Sequence, residues 1–250
     1  MKRNGISDAA RRIKAWAASR TPRSRIALSS ALILLAFALA LAIAKAARPS
    51  PASPAEPPVS AEFSDIDGRS EEAAILEAGK RGLLTPYPDG TFRPDDNVTR
   101  AQFALALWRL AGQPDVSEET PFSDISGLSE PFKAAVAWSF QEGYLDGASP
   151  RTFAPDNPVT RQAAMNALFL YSGGVVGMEG LLSRVYDEAI ADSGDIADWG
   201  KEGMYWAIYH ELIVCVPPLN AANPEGPLSR AQAAEILVRY IDRFQTEPTA

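Results

Sequence analysis

Three segments of this chain set apolar residues on one helical face behind the same kind of polar start. After Thr99 the stripe is Phe103, Ala106, Leu107 and Leu110; after Thr160 it is Ala164, Ala167, Leu168 and Tyr171; after Ser229 it is Ala233, Ile236, Leu237 and Tyr240. The i, i+3, i+4, i+7 spacing predicts three amphipathic helices, each with one seam to bury. Thr99 with Gln102 and Ser229 with Gln232 fit a capping box, and Val98 with Phe103 fits the flanking hydrophobic staple. Thr160 can cap, but Ala163 stands where the box needs Gln or Glu. Ala164 and Ala167 make the second stripe slim, which permits close approach there.

Each helix closes a longer recurring unit. The first opens FSDI (Phe63–Ile66) and closes YPDGTFRPDDNVTRAQF (Tyr87–Phe103); the second opens FSDI (Phe122–Ile125) and closes SPRTFAPDNPVTRQAA (Ser149–Ala164). The third is worn, opening IAD (Ile190–Asp192) and closing NPEGPLSRAQAA (Asn223–Ala234). Units of this size cannot bury a core alone and must pack on one another. The units span 63–111, 122–172 and 190–240, each read as helix, turn-rich loop, helix. Pro88-Asp89-Gly90 supplies the turn, with Pro presetting φ and Gly accepting a positive one. The linkers are 112–121 and 173–189, the second with a short helix expected at Met178–Asp187. The expected fold is all-α and pseudo-threefold. The three capped helices form a central bundle, and the first helix and loop of each unit splay outward.

Ahead of the repeats lie a basic head (1–25), an apolar run (26–47) and a proline-rich extended spacer (48–62). Eight Lys/Arg stand against Asp8 alone before Ile26, while the whole chain carries −7, so the body is strongly acidic. Ile26–Ala47, interrupted by Ser29, Ser30 and Lys45, is long enough for a hydrophobic membrane helix. Its core, Ala31–Ala44, also fits a secretory signal, with Ala42-Ile43-Ala44 or Ala44-Lys45-Ala46 as the cleavage site. Both readings, an uncut anchor and a cleaved signal, export the rest of the chain. Cys215 is the sole cysteine, so no intrachain disulfide or thiolate cluster forms. His210 is the sole histidine and sits in an apolar stretch, which excludes the usual triads and His-based zinc sites. The acidic body argues against nucleic acid, and no cofactor motif occurs. Trp108, Trp138, Trp199 and Trp206 are expected to serve packing.

Candidate chemistry lies at the helix starts. Arg100, Arg161 and Arg230 directly follow the caps, where a cation opposes the helix dipole by about 0.3–1 kcal/mol. Breaking a local rule three times implies a compensating task. One reading pairs these arginines with loop carboxylates such as Asp95, Asp96 or Asp156. The other makes each helix start an anion site, guanidinium and free N–H groups together. Asp65, Asp124 and Asp192 recur at the unit entries, as turn caps or as acceptors for sugar hydroxyls.

At these residues the chain resembles the S-layer homology family, over about Phe63 to Tyr240. FSDI, YPDGTFRPDDNVTRAQF and TFAPDNPVTRQA carry the resemblance in the first two units; the third matches in context only. The resemblance implies a three-pronged helical spindle around a three-helix bundle. It also implies non-catalytic attachment to the bacterial cell wall, through secondary cell-wall polymers, often pyruvylated, held in grooves between prongs. The ligand residues it implies are Asp65, Arg100, Asp124, Gly147, Arg161, Asp192 and Arg230. The partners it implies are an anionic wall polysaccharide and, if 26–47 stays uncut, the cytoplasmic membrane. The chain departs from the family's pattern in three places. Pro86 and Cys215 replace the glycine kept at Gly147, the first-helix Trp is present only as Trp199, and Val216–Pro227 replaces the DGTF turn of the third unit. These changes put the third groove in doubt. They support a rival reading as a degenerate, membrane-attached interaction module that binds no glycan, which the acidic body also favours.

Overall fold

The computed structural model describes residues 63–117, 119–174, 186–215 and 221–245. The basic head, the apolar run 26–47 and the spacer 48–62 lie outside them, as do most of the helix expected at Met178–Asp187 and the start of the altered third loop. Residues 186–189 are helical. Among the described residues no helix is long and apolar enough to cross a membrane.

Six α-helices carry the described fold: α1 (Glu72–Lys80), α2 (Arg100–Leu110), α3 (Glu130–Gln141), α4 (Arg161–Tyr171), α5 (Lys201–Tyr209) and α6 (Arg230–Phe244). Two 3-10 turns, Ser193–Asp195 and Asp198–Gly200, lead into α5. The fold is all-α: extended backbone occurs among the described residues only as isolated bridges. The predicted caps form. Thr99 Oγ1 accepts the Gln102 N–H, and the Gln102 side chain accepts the Thr99 N–H in return; Ser229 and Gln232 do the same. Thr160 makes only its half of the box.

The residue before each cap joins a ring. Val98 N–H donates to Leu228 O (2.8 Å), Leu228 N–H to Val159 O (3.3 Å) and Val159 N–H to Val98 O (2.9 Å). All three side chains are fully buried. This backbone ring is the hub of the threefold, and it starts α2, α4 and α6 around one centre. The three predicted stripes face inward from it. Every stripe residue is buried except Leu110 and Tyr171, which are half-buried. At the far end, eleven residues past each cap, Tyr171 packs on Tyr240 at 5.9 Å between ring centroids and its hydroxyl donates to Leu110 O (3.4 Å).

The pairing of the first helices crosses from unit to unit. α3 packs on α2, α5 on α4, and α1 on α6, so each first helix pairs with the second helix of the preceding unit, and the cycle closes from the third unit to the first. Backbone approach is the reason for one of these pairings. A Cβ on Gly203 of α5 would lie 2.5 Å from Asn166 Cα of α4, and one on Gly200 would lie 2.8 Å from the Gln162 side-chain oxygen.

Each first helix ends on a left-handed residue: Gly82 (φ 67°), Gly143 (φ 74°) and, in the third unit, Glu211 (φ 57°). Holding Glu there costs about 1–2 kcal/mol that Gly would not. The same wrap forms in all three, with Leu83, Tyr144 and Leu212 N–H donating to Ala78, Ser139 and Ala207 O. Three of the tryptophans pack as expected: Trp138 is buried, Trp206 stacks on Phe244 at 5.3 Å, and Trp108 Nε1 donates to Pro114 O. Trp199 does not. It sits in the 3-10 turn before α5 and is 56% exposed.

Candidate functional site

The entry aspartates clamp the loops. Asp65 accepts the N–H groups of Phe92 (2.7 Å) and Arg93 (2.8 Å); Asp124 those of Phe153 (2.9 Å) and Ala154 (2.8 Å); Asp192 those of Ala222 (2.7 Å) and Asn223 (2.7 Å). The second residue of each pair has positive φ: Arg93 57°, Ala154 57°, Asn223 51°. Both carboxylate oxygens therefore hold a strained loop in place. Partial burial pushes the Asp124 carboxyl up, but the N–H donors of Phe153 and Ala154 outweigh it and leave the net value lowered. The third loop, which has lost the DGTF wording, keeps the same clamp from residue 222 onward.

The three arginines reach across units. Arg100 Nε donates to Phe153 O (2.8 Å) and its Nη2 to Asp146 O. Arg161 Nε donates to Ala222 O (3.0 Å). Arg230 Nε donates to Phe92 O (2.6 Å) and Nη2 to Thr85 O (2.9 Å). Each second helix thus staples the loop of the next unit, and the third staples the first. The rings of Phe153, and of Phe92 and Tyr87, lie under Arg100 and Arg230 at 4.5–4.8 Å. Burial lowers the pKa of all three guanidinium groups, Arg161 and Arg230 being nearly inaccessible.

The expected pairing of these arginines with loop carboxylates does not form. Among the described residues they form no salt bridge, and Asp95 is taken by Arg69 in a two-point contact (2.6 and 3.0 Å). The first N–H groups of the helices are occupied too. Arg100 and Ala101 donate to Asn157 and Pro155 O, Arg161 and Gln162 to Gly226 and Pro224 O, Arg230 and Ala231 to Asp96 and Pro94 O. Loop carbonyls hold the place an anion would take. In this structure the cations at the helix starts fasten neighbouring loops.

Gly147 is sterically required where it stands: a Cβ there would meet Phe122 Cε1 at 2.4 Å and Ser149 O at 2.5 Å. His210 packs edge-on to Trp206, Tyr209 and Phe244, and its Nδ1 is buried without a partner; burial lowers its pKa. Among the described residues no acidic, His or Cys cluster could hold a metal ion.

Among the described residues, two surface clefts bear on the site. The larger, about 970 Å³, lies in the third unit beside His210 and Cys215. Its arginines have partners, Arg239 with Glu235 (3.4 Å) and Arg243 with Glu211 (3.9 Å). The smaller, about 170 Å³, is lined mainly by the first unit, with Thr85, Tyr87, Gln102 and Arg109 among others, and is completed by Phe132 of the second unit and Arg230 of the third. It brings a candidate arginine to a crevice beside a second one, Arg109, which the sequence reading passed over. The available signal was a second cation ten residues past the cap, on a helix otherwise nearly apolar.

The family model described as S-layer homology domain matches residues 62–104 and 121–165. Cell surface glycoprotein 1 of Acetivibrio thermocellus is 30% identical over 183 residues, 70% of this chain and 8% of that protein. The S-layer protein EA1 of Bacillus anthracis is 26% identical over 179 residues, 70% of this chain and 19% of its own length. A cellulosome-anchoring protein of Acetivibrio thermocellus is 31% identical over 107 residues, 40% of this chain and 23% of that protein. The chain thus spans a small part of each of these relatives.

Proposed function

Because the chain belongs to the S-layer homology domain family, we propose that its repeat body is a non-catalytic module that binds bacterial secondary cell-wall polymer and holds the protein at the wall. The observation that carries this reading is the family match. It covers Asp65, Arg100, Asp124, Gly147 and Arg161, and the third unit repeats their contacts through Asp192 and Arg230. The names of relatives such as the cellulosome-anchoring protein support an anchoring role. We read residues 26–47, from their sequence, as an anchor or signal that exports the body, and residues 48–62 as a spacer behind it.

The polymer is read as anionic, with pyruvyl ketals. A ketal carboxylate suits a crevice that holds two guanidinium groups, whereas a neutral glycan would leave them unpaired. Co-sedimentation with purified walls is the test. Wild-type protein should pellet with walls that retain their polymer and stay in solution once mild acid has removed the ketals. Failure to pellet at any salt concentration would favour the rival, a membrane-attached interaction module. The acidic body supports that rival, since like charge repels an anionic polymer at long range.

A further inference from the structure

The third unit departs from the other two at one exposed place. Two residues before and three residues after the left-handed end of the first helix, the first unit carries Lys80 and Thr85, the second Gln141 and Asp146, and the third Tyr209 and Val214. All six are exposed, so these positions face water in every unit. Yet the third unit makes both apolar, with Tyr209 48% and Val214 65% accessible. The next residue after the first of these positions, Arg81 or Glu142 in the earlier units, is His210.

Helix α6 extends the same face. It runs for 15 residues where α2 and α4 run for 11. Its added turn, Ile241–Phe244, brings Asp242 and Arg243 to the larger cleft and sets Phe244, itself 38% exposed, 4.9 Å from His210 between ring centroids. Tyr209 meets the same imidazole at 4.9 Å. Tyr186, Ile190, Ile208, Ile213 and Val214 line the cleft itself. Folding gains nothing from leaving a tyrosine, a valine and a phenylalanine exposed side by side, and apolar surface gathered in this way marks an interaction face. Tyr, Phe and Arg are also the residue types that concentrate at interface centres.

The charges around the cleft select the partner. Arg239 and Arg243 stand with Glu211 and Asp242, two of each sign, on a body that is otherwise strongly acidic. A cationic partner would find no excess of negative charge here, and an anionic one would be repelled by the surrounding body. A second copy brings the same two cations and two anions, and a two-fold axis sets the acids of one copy against the arginines of the other. The pairs within the chain are long, 3.9 Å for Arg243 with Glu211 and 3.9 Å for Arg81 with Asp242, so both acids can turn to a partner at little cost.

We propose that the third unit is a self-association face: two copies of this chain pair through Tyr209, Val214 and Phe244, with the charges around the cleft matched across a two-fold axis. The pairing stands independently of the wall-polymer reading. The worn sequence of the third unit is, at these positions, the conversion of a solvated surface into a contact surface.

Sedimentation velocity of the full chain in mild detergent, over a series of concentrations, tests this. Tyr209→Gln and Val214→Asp each install the second unit's residue at an exposed position. Each should raise the dimer dissociation constant at least tenfold and leave the melting temperature of the dilute protein unchanged. Thr85→Asp, which puts an aspartate at the same position of the first unit, should dimerise as wild type does. Cys215 lines the cleft and reports contact at the face itself. Its alkylation should slow as wild type is concentrated and should not slow in the two variants. A wild type that stays monomeric overturns the proposal. So does equal dimerisation by the Tyr209→Gln, Val214→Asp double variant, which is what association through residues 26–47 would give. A monomer whose Cys215 is alkylated slowly at every concentration also overturns it, because the chain would then cover this face itself. If Val214→Asp melts early, Tyr209→Gln decides alone.

Discussion

Replacing Arg230 separates two accounts of why cations stand at helix starts, because they predict opposite signs. In Arg230→Met the apolar stem is kept and the guanidinium is lost. If the arginine only opposed the helix dipole in the ligand-free protein, its removal would stabilise by about 0.3–1 kcal/mol. The structure instead shows two carbonyls, Phe92 O at 2.6 Å and Thr85 O at 2.9 Å, that would lose their donor. Bonds from a charged donor contribute about 1.5–3 kcal/mol each, less the relief of no longer burying a cation. The rings of Phe92 and Tyr87, at 4.5 and 4.8 Å, add about 0.5–2 kcal/mol. The net expected loss is about 2–4 kcal/mol. For a body of this size each kcal/mol shifts the melting temperature by about 2–4 °C, so the variant should melt about 5–15 °C lower. Arg230→Lys, which can reach one carbonyl but not two, should lie between. The loss should persist at high salt, since screening acts weakly on partly buried contacts. Differential scanning calorimetry at low and high salt reads both effects. A Met variant melting at or above wild type would falsify the staple.

Two further substitutions probe the scaffold. Gly203→Ala should destabilise despite a helix-propensity gain of about 1 kcal/mol, because its Cβ would lie 2.5 Å from Asn166 Cα and overpacking costs about 1–3 kcal/mol; a higher urea midpoint would contradict the α4–α5 contact. Asp124→Asn keeps one acceptor for the Phe153 and Ala154 N–H groups and should cost about 1 kcal/mol at neutral pH. The Asp124 carboxyl is lowered in the fold, so its stabilisation is full above the unfolded value of about 3.9 and is lost as pH falls through the folded one. The gap between wild type and Asp124→Asn should therefore close in acid, and a gap that widened below pH 4 would rule out the clamp.

Much of the helical frame was legible in the chain. The capping boxes at Thr99 and Ser229, the half-box at Thr160 and the three inward stripes are local patterns, written within one or two helical turns of the residues they govern. The family likeness was legible for the same reason, since FSDI and the TR-containing exits are short and contiguous. Less could be read of the third unit. Its clamp survives with Asp192, Ala222 and Asn223 although the wording around it has changed, because a backbone N–H is available from almost any residue.

By itself, then, the sequence determined the repeats, the helices, the faces they bury and the kinds of charged group at each helix start. Only the tertiary structure decided what those groups touch. It put each arginine on the carbonyls of the next unit's loop and passed each first helix to the preceding unit. The physical reason is that carbonyl acceptors are the same at every residue and carry no signature in the chain, so which one meets a guanidinium depends on how distant segments pack.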